Sequence, residues 1–372
     1  NALSGVFYLL LSMLGYGLTS GIQVQMSRRI GEGDHAGLVS LLKHSIVLVL
    51  CFSFALMLIA SFLVPYLYDV VLHNATNRYL NHAFFKIRIW GLPFLMLTHL
   101  FNTFFISINN TTSLIWGSLL STLTNILFDY LLIFGHAGMP ALGIEGAAYA
   151  SVFAELVYVI IMIGQYIFSS ATRSYELKNT GPVRLATMLQ SLKVAAPLIV
   201  QFLFSIGGWQ IFFIFVEHLG KLELASSQIL RSIFGVVGVA TWAFASTTNT
   251  LVSKAIGADE SHLVLQIIKR IAIISLGFTL LICSMLLLFA NSFLTLYTQD
   301  LAIIKMALPS LQVIVLAMGI MSLATVVFNG VVGTGNTIIN LVMEISCVGV
   351  YLIYCFIVIE QQKASLQWAW MS

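Results

Sequence analysis

The chain reads as an all-α polytopic membrane protein made of two six-helix halves related by a parallel repeat. Composition, the spacing of long apolar runs and two motifs repeated at nearly one offset lead to that fold class. Of 372 residues, 59% are hydrophobic and only 8% charged, against about 25% charged in an ordinary soluble domain. No soluble fold hides that much apolar surface, so lipid is the solvent the sequence calls for.

Ten runs meet the requirement of about 20 mostly apolar residues for a spanning helix. They lie near 2–26, 41–67, 83–106, 112–134, 142–168, 187–217, 224–252, 264–291, 302–330 and 334–359. A bilayer offers no partner for loose backbone polar groups, so each is expected to be helical. Arg28, Arg29, Lys43, Arg173, Lys178, Arg184, Lys193, Lys254, Lys269 and Arg270 fall on one side if every run crosses. The opposite loops hold Arg78, Lys221 and Lys363. The excess of positive charge assigns the first side to the cytoplasm.

The repeat organises the spans. "SRRIGEGDHAGL" from Ser27 is echoed by "SKAIGADESHL" from Ser253, and "FNTFFISINN" from Phe101 by "FNGVVGTGNT" from Phe328, offsets of 226 and 227. Both copies run the same way, so each unit holds an even number of helices and the repeat is parallel. Six helices per half implies twelve in a protein of roughly 450 residues, with one span preceding residue 1 and one cut after "SLQWAWMS". The expected division is residues 1–168 as an N-terminal lobe lacking its first helix, 169–186 as a cytoplasmic linker and 187–372 as a C-terminal lobe with its last helix truncated.

Charge at spanning depth marks the candidate site, because a central charge costs roughly 2.5 kcal/mol or more. Asp129, Glu155 and Glu344 are the deepest of the 14 acidic residues. Asn125 precedes Asp129 by one turn on the same helical face. With the loop "GHAGMPALG" as the bend of a hairpin, Ser151 lies level with Asn125. Carboxylate, amide oxygen and hydroxyl form an all-oxygen set suited to Na⁺, and a proton would use the carboxylate alone. An offset of 227 carries Asn125 to Leu352 and Asp129 to Phe356, so the second half has no equivalent cluster.

Glu155, Asn102, Trp209 and Glu344 are secondary site candidates, each weighed against a blander reading. Glu155 serves either as a proton relay or in a structural pair, and Glu344 in a structural or cytoplasm-facing role. Lys86 and Arg88 sit where long side chains snorkel to the surface. Asn102 and Asn329 occupy repeated places that favour helix termination or packing, and Gly31 and Gly257 suit loop turns. Cys51, Cys283, Cys347 and Cys355 lie in apolar runs without metal-ligand spacing and read as small hydrophobes. The sequons at Asn74 and Asn109 carry no assignment.

"NILFDYLLIFGHAGMPALGIEGAAYAS" resembles the fourth-to-fifth-span signature of MATE transporters (multidrug and toxic compound extrusion), nearest the NorM-like bacterial members. "GIQVQMSRRIGEGD" and "STTNTLVSKAIGAD" resemble that family's paired loop motifs, and "FNGVVGTGNT" its late-helix motif. The resemblance implies twelve helices in two lobes around a central cavity, in the bacterial inner membrane, exporting organic cations against entering Na⁺ or H⁺. It implies a cation site of Asn125, Asp129 and Ser151, joined by an Asp on a first helix that would precede residue 1. Members with second-lobe acids carry them on the helices corresponding to the sixth and ninth spans. Here the sixth places Ser205 and Trp209, with Glu217 only at its outer end, and the ninth has no acid.

The expected protein is therefore not an enzyme, and it needs no cofactor beyond its coupling ion. Its partners are membrane lipids and organic cations, without nucleic acid or nucleotide, and it is expected to be a monomer. The 17 basic residues are scattered and give no nucleic-acid footprint. A flippase for lipid-linked oligosaccharides is the alternative, but it would line its cavity with several Arg or Lys, and central basic residues here are few. A channel or intramembrane enzyme lacks support from any selectivity-filter repeat, paired catalytic carboxylates or nucleotide-binding loop.

Single cysteines placed in the Glu176–Arg184 linker and at His136, in an otherwise Cys-free protein, are expected to label from opposite sides of the membrane. Labelling of both from one side would overturn the span count.

Overall fold

The computed structural model describes residues 2–72, 74–175 and 181–371; Glu176 and Lys178 of the expected linker lie outside the described residues. Among the described residues ten helical segments are long and apolar enough to cross a membrane. The helices are α1 (Ala2–Gly31), α2 (His35–Val71), α3 (Ala75–Arg88), α4 (Leu92–Ser107), α5 (Thr112–Phe134), α6 (Ile144–Phe168), α7 (Leu185–Leu219), α8 (Lys221–Gly257), α9 (Val264–Leu288), α10 (Ala290–Tyr297), α11 (Leu301–Thr334), α12 (Thr337–Cys355) and α13 (Leu366–Ala369).

The third span departs most from its expected form. It is two helices, α3 and α4, joined by a 3₁₀ turn at Ile89–Gly91. Pro93 lies in the first turn of α4, and its missing N–H and bulky ring break the helical ladder just upstream. α3 also starts eight residues before the predicted boundary, because Asn74 caps it by accepting from the N–H groups of Thr76 and Asn77. Asn74 therefore has a structural task that a sequon search does not register. Asp34 and Asp300 cap α2 and α11 in the same way.

Two compact units form, one ending at Phe202 and one beginning at Leu203. Packing thus changes inside α7, not in the 169–186 linker. The first turns of α7 belong with α1: Ser191 Oγ donates to Gln25 Oε1 at 3.0 Å, and Tyr16 meets Phe202 edge-on at 5.2 Å. The far side of the linker is tied to α2, where Lys43 Nζ donates to Gly181 O at 2.9 Å and Arg184 N–H donates to His44 Nε2 at 2.9 Å.

The duplication is visible bond by bond. α1, α2 and α4 pack as a trio in the first unit, and α8, α9 and α11 pack likewise in the second. Ser27 and Ser107 join their hydroxyls at 3.0 Å, and Ser253 Oγ donates to Gly333 O at 2.9 Å, each pair 80 residues apart. Left-handed backbone recurs at Gly33 and Asp259 and again at Asn109 and Gly335. Every one of these correspondences has an offset of 226.

That register corrects two readings. Gly31 and Gly257 are the last helical residues of α1 and α8, and the turn itself falls two residues later. Asn329 corresponds to Thr103, not Asn102, and the two Asn differ in role: Asn102 Oδ1 accepts from Tyr158 OH, whereas Asn329 Nδ2 donates to Thr325 O. The same register places Tyr351 and Cys355 opposite Asn125 and Asp129, one residue from the predicted counterparts and likewise without a carboxylate.

Gly333 lets α11 approach α8 closely. A Cβ there would lie 2.8 Å from Asn249 O and 2.9 Å from Val252 Cβ. Gly333→Leu is expected to destabilise the protein by about 1–3 kcal/mol through overpacking. The check is thermal unfolding followed by thiol-dye labelling of the buried Cys283 and Cys355, with the exposed Cys51 and Cys347 replaced by Ser.

Candidate functional site

α1 presents a polar residue to its neighbours about every turn. Ser4 Oγ donates to Asn81 Oδ1 at 2.6 Å and accepts from Tyr68 OH at 2.9 Å. Tyr8 meets Arg88 and Glu155. Ser12 Oγ lies 3.2 Å from His99 Nε2, and Ser27 meets Ser107. The partners ascend α3 and α4 in the same order, so the two strands of helix run parallel with a polar seam between them. In hydrocarbon such groups are tolerated only when partnered.

The strongest member of the seam explains Glu155. Arg88 grips its carboxylate with both terminal nitrogens, at 2.8 and 2.5 Å. Tyr8 OH donates to Oε2 at 3.0 Å and accepts from Arg88 Nη1 at 2.9 Å. The guanidinium also lies 3.7 Å from the centre of the Tyr8 ring. Both charged side chains are nearly enclosed, 13% and 12% exposed. Arg88 therefore does not snorkel. It lies on the same face of α3 as the buried Asn81 and Phe85, whereas Lys86 faces outward. Gly91 completes the arrangement, since a Cβ there would sit 2.3 Å from Glu155 Oε2 and 2.5 Å from Arg88 Nη1. Sequence reasoning treated Arg88 and Glu155 separately; an Arg at spanning depth was itself a signal to search for its carboxylate.

α5 and α6 form the hairpin that carries the predicted cation site. Ser121 Oγ donates to Ala154 O at 2.8 Å, and Leu132 O lies against Gly146. Between those crossings Asn125 comes level with the turn holding Ser151, and Asp129 lies one turn nearer the hairpin bend. All three side chains are partly buried. No hydrogen bond joins them, and no described residue pairs with the Asp129 carboxylate.

In the second unit, Ser205 donates to Glu344 across α7 and α12. Gly208 and Val348 continue that contact. Trp209 stacks with Phe212 and Phe234 and meets Phe213 and Trp370 edge-on. That packs it, partly buried, against the hydrophobic core of its unit. Among the described residues no three His, Cys, Asp or Glu side chains converge as a metal site.

Comparison with known proteins gives this arrangement its context. The MatE family model matches residues 2–131 and 197–357, one segment in each half. The chain belongs to the MatE family of membrane transporters. It is similar to a probable multidrug resistance protein NorM of Photorhabdus laumondii, 22% identical over 300 residues, covering 80% of this chain and 65% of that protein. It is also similar to a FAD transporter of Shewanella oneidensis, 23% identical over 297 residues, covering 78% of this chain and 64% of that protein. The chain thus spans just under two thirds of those relatives' length. A solved transporter of the MOP superfamily from Pyrococcus furiosus shares the fold, with a TM-score of 0.89 at 17% identity, over 100% of this chain and 83% of that one.

The Arg88–Glu155 pair makes a stability prediction. Glu155→Gln leaves Arg88 buried without its counter-charge and is expected to cost about 3–5 kcal/mol. The double change Arg88→Met with Glu155→Leu should cost less than Glu155→Gln alone. Thermal unfolding of the three proteins in one detergent checks both statements.

Proposed function

We propose that the protein is a secondary active exporter of organic cations, driven by entry of Na⁺ or H⁺, and that Asp129 is its coupling group with Asn125 and Ser151 beside it. One observation carries this reading. Of the three deep acids, Glu155 is held by Arg88 and Tyr8 and Glu344 by Ser205, while Asp129 alone has no described partner. A carboxylate kept at that depth without an internal partner has its affinity available for an exchangeable cation.

The neighbouring donors suit the task. Asn125 and Ser151 add neutral oxygens without adding charge that must be desolvated, which fits a hard cation such as Na⁺. A proton would use the carboxylate alone, and burial changes on either side of the membrane would shift its affinity. Binding drives export only if the cation favours one conformation over the other. The relatives named for multidrug resistance support drug efflux; organic cations as cargo, the bacterial inner membrane as location and a single chain as the working unit are parts of the proposal. Glu155 and Asn102 then serve the scaffold of the first unit, and Trp209 and Glu344 that of the second.

Asp129→Asn preserves shape while removing the charge, so the protein should insert and fold normally. Export of a fluorescent organic cation from vesicles with an imposed Na⁺ or H⁺ gradient should be abolished or strongly reduced. Asn125→Ala should give a milder loss, and Glu344→Gln a smaller one than Asp129→Asn. Full export by Asp129→Asn would remove Asp129 from the coupling role.

A further inference from the structure

A cleft of about 920 Å³ opens on the flank of the first unit, lined by residues of α2, α3, the turn at Ile89–Gly91 and α6. Its volume is within the range of ligand pockets, roughly 300–1,000 Å³. The cleft faces outward: Tyr79, Trp90 and Tyr149 on its walls are 67%, 63% and 40% exposed. On a membrane-spanning bundle, such a surface meets lipid. The lining holds one full negative charge, Glu145, and one ammonium, Lys86, and among the described residues neither has an ion-pair or hydrogen-bond partner.

The order of those charges along the membrane normal is informative. α3 and α6 run inward from the same end and are tied together where Arg88 meets Glu155. Counting back at 1.5 Å per residue, Glu145 lies about 15 Å nearer that end than Glu155, and Lys86 about 3 Å nearer than Arg88. The carboxylate therefore sits at the mouth, with the ammonium deeper on a stem long enough to reach upward. Val152 lies about level with Lys86, and below the ammonium the lining is mainly apolar, with Ile89 and Met57.

From this we infer that the cleft is a binding site for a zwitterionic phospholipid, phosphatidylethanolamine. Read from water inward, that lipid presents an ammonium, a phosphate and then acyl chains. The cleft presents a carboxylate, an ammonium and then apolar side chains in the same order. Each charge meets its opposite, and the ammonium of the lipid can donate hydrogen bonds to Glu145 as well as attract it. An anionic lipid without a headgroup cation would gain Lys86 but face Glu145 unpaired. An organic cation would gain Glu145 but settle against Lys86. Tyr79 and Tyr149, nearer the mouth, suit the boundary between headgroup and chains.

Native mass spectrometry of the full chain tests the assignment, after delipidation and addition of phosphatidylethanolamine or phosphatidylglycerol at equal concentration. Phosphatidylethanolamine should be retained about threefold better, the scale set by one partly exposed charge pair. Glu145→Gln should bring the two lipids to parity, and Lys86→Met should weaken retention of both. Both side chains lie outside the core, so the variants should elute as the parent does on size exclusion. Equal or better retention of phosphatidylglycerol by the parent, or no change in either variant, would overturn the site. Displacement of the lipid by ethidium at matched concentration would instead make the cleft an organic-cation site and overturn the lipid assignment. Transport is not part of the readout, so failure here leaves the role of Asp129 untouched.

Discussion

The absence of hydrogen-bonding solvent in the bilayer is the constraint on which this structure depends. Every polar group at spanning depth must find its partner within the protein or in what the protein binds. The seam of α1 against α3 and α4 answers that demand locally, from Ser4 with Asn81 to Ser27 with Ser107. The Arg88–Tyr8–Glu155 cluster answers it for two full charges and links three helices in doing so. Such a pair is weak support for net stability, because desolvation offsets much of its attraction. It is stronger support for specificity: a buried guanidinium accepts few alternative packings, so α1, α3 and α6 are fixed in register.

The helix break at Ile89–Gly91 belongs to the same logic. Pro93 stops the ladder, and the turn that results puts Gly91 beside the ion pair, where any side chain would intrude. The break therefore provides the space that lets Arg88 turn inward. A continuous helix with an ordinary residue at position 91 would force the carboxylate and guanidinium apart.

Much of this was legible in the chain itself. The ten spans follow from apolar length, because lipid enforces the helix wherever the run is long enough. The duplication was also legible, since turn residues with left-handed backbone leave a mark in sequence: Gly33 with Asp259, and Asn109 with Gly335. Less legible were α3, whose polar first turns interrupt the apolar run, and the inward course of Arg88. Snorkelling and pairing draw on the same residue type at the same depth, and only the face of the helix distinguishes them. Asn81, Phe85 and Arg88 share a face, a pattern present in the sequence but without meaning until the partner helix is known. The equivalence of Asn102 with Asn329 failed for a related reason: a one-residue slip turns a helical position by 100°, so like letters at offset 227 face different neighbours.

The register of the repeat sharpens the question of why the two halves differ. Gene duplication hands both halves the same loops, the same trio packing and the same serine contact at the base of that trio. It does not hand them the same polar interior. Where the first half has Asn125 and Asp129, the second has Tyr351 and Cys355, and its own deep acid, Glu344, is paired with Ser205. The left-handed turn positions recur in both copies, whereas the structural Arg88 falls opposite Ile314, so absence from one half does not by itself separate function from folding. What sets Asp129 apart is that its carboxylate has no described partner in the half that keeps it, and that asks for a reason outside folding. Under the proposed function that reason is the coupling cation, with one half carrying the exchangeable charge and the other supplying a matched scaffold that does not compete for it.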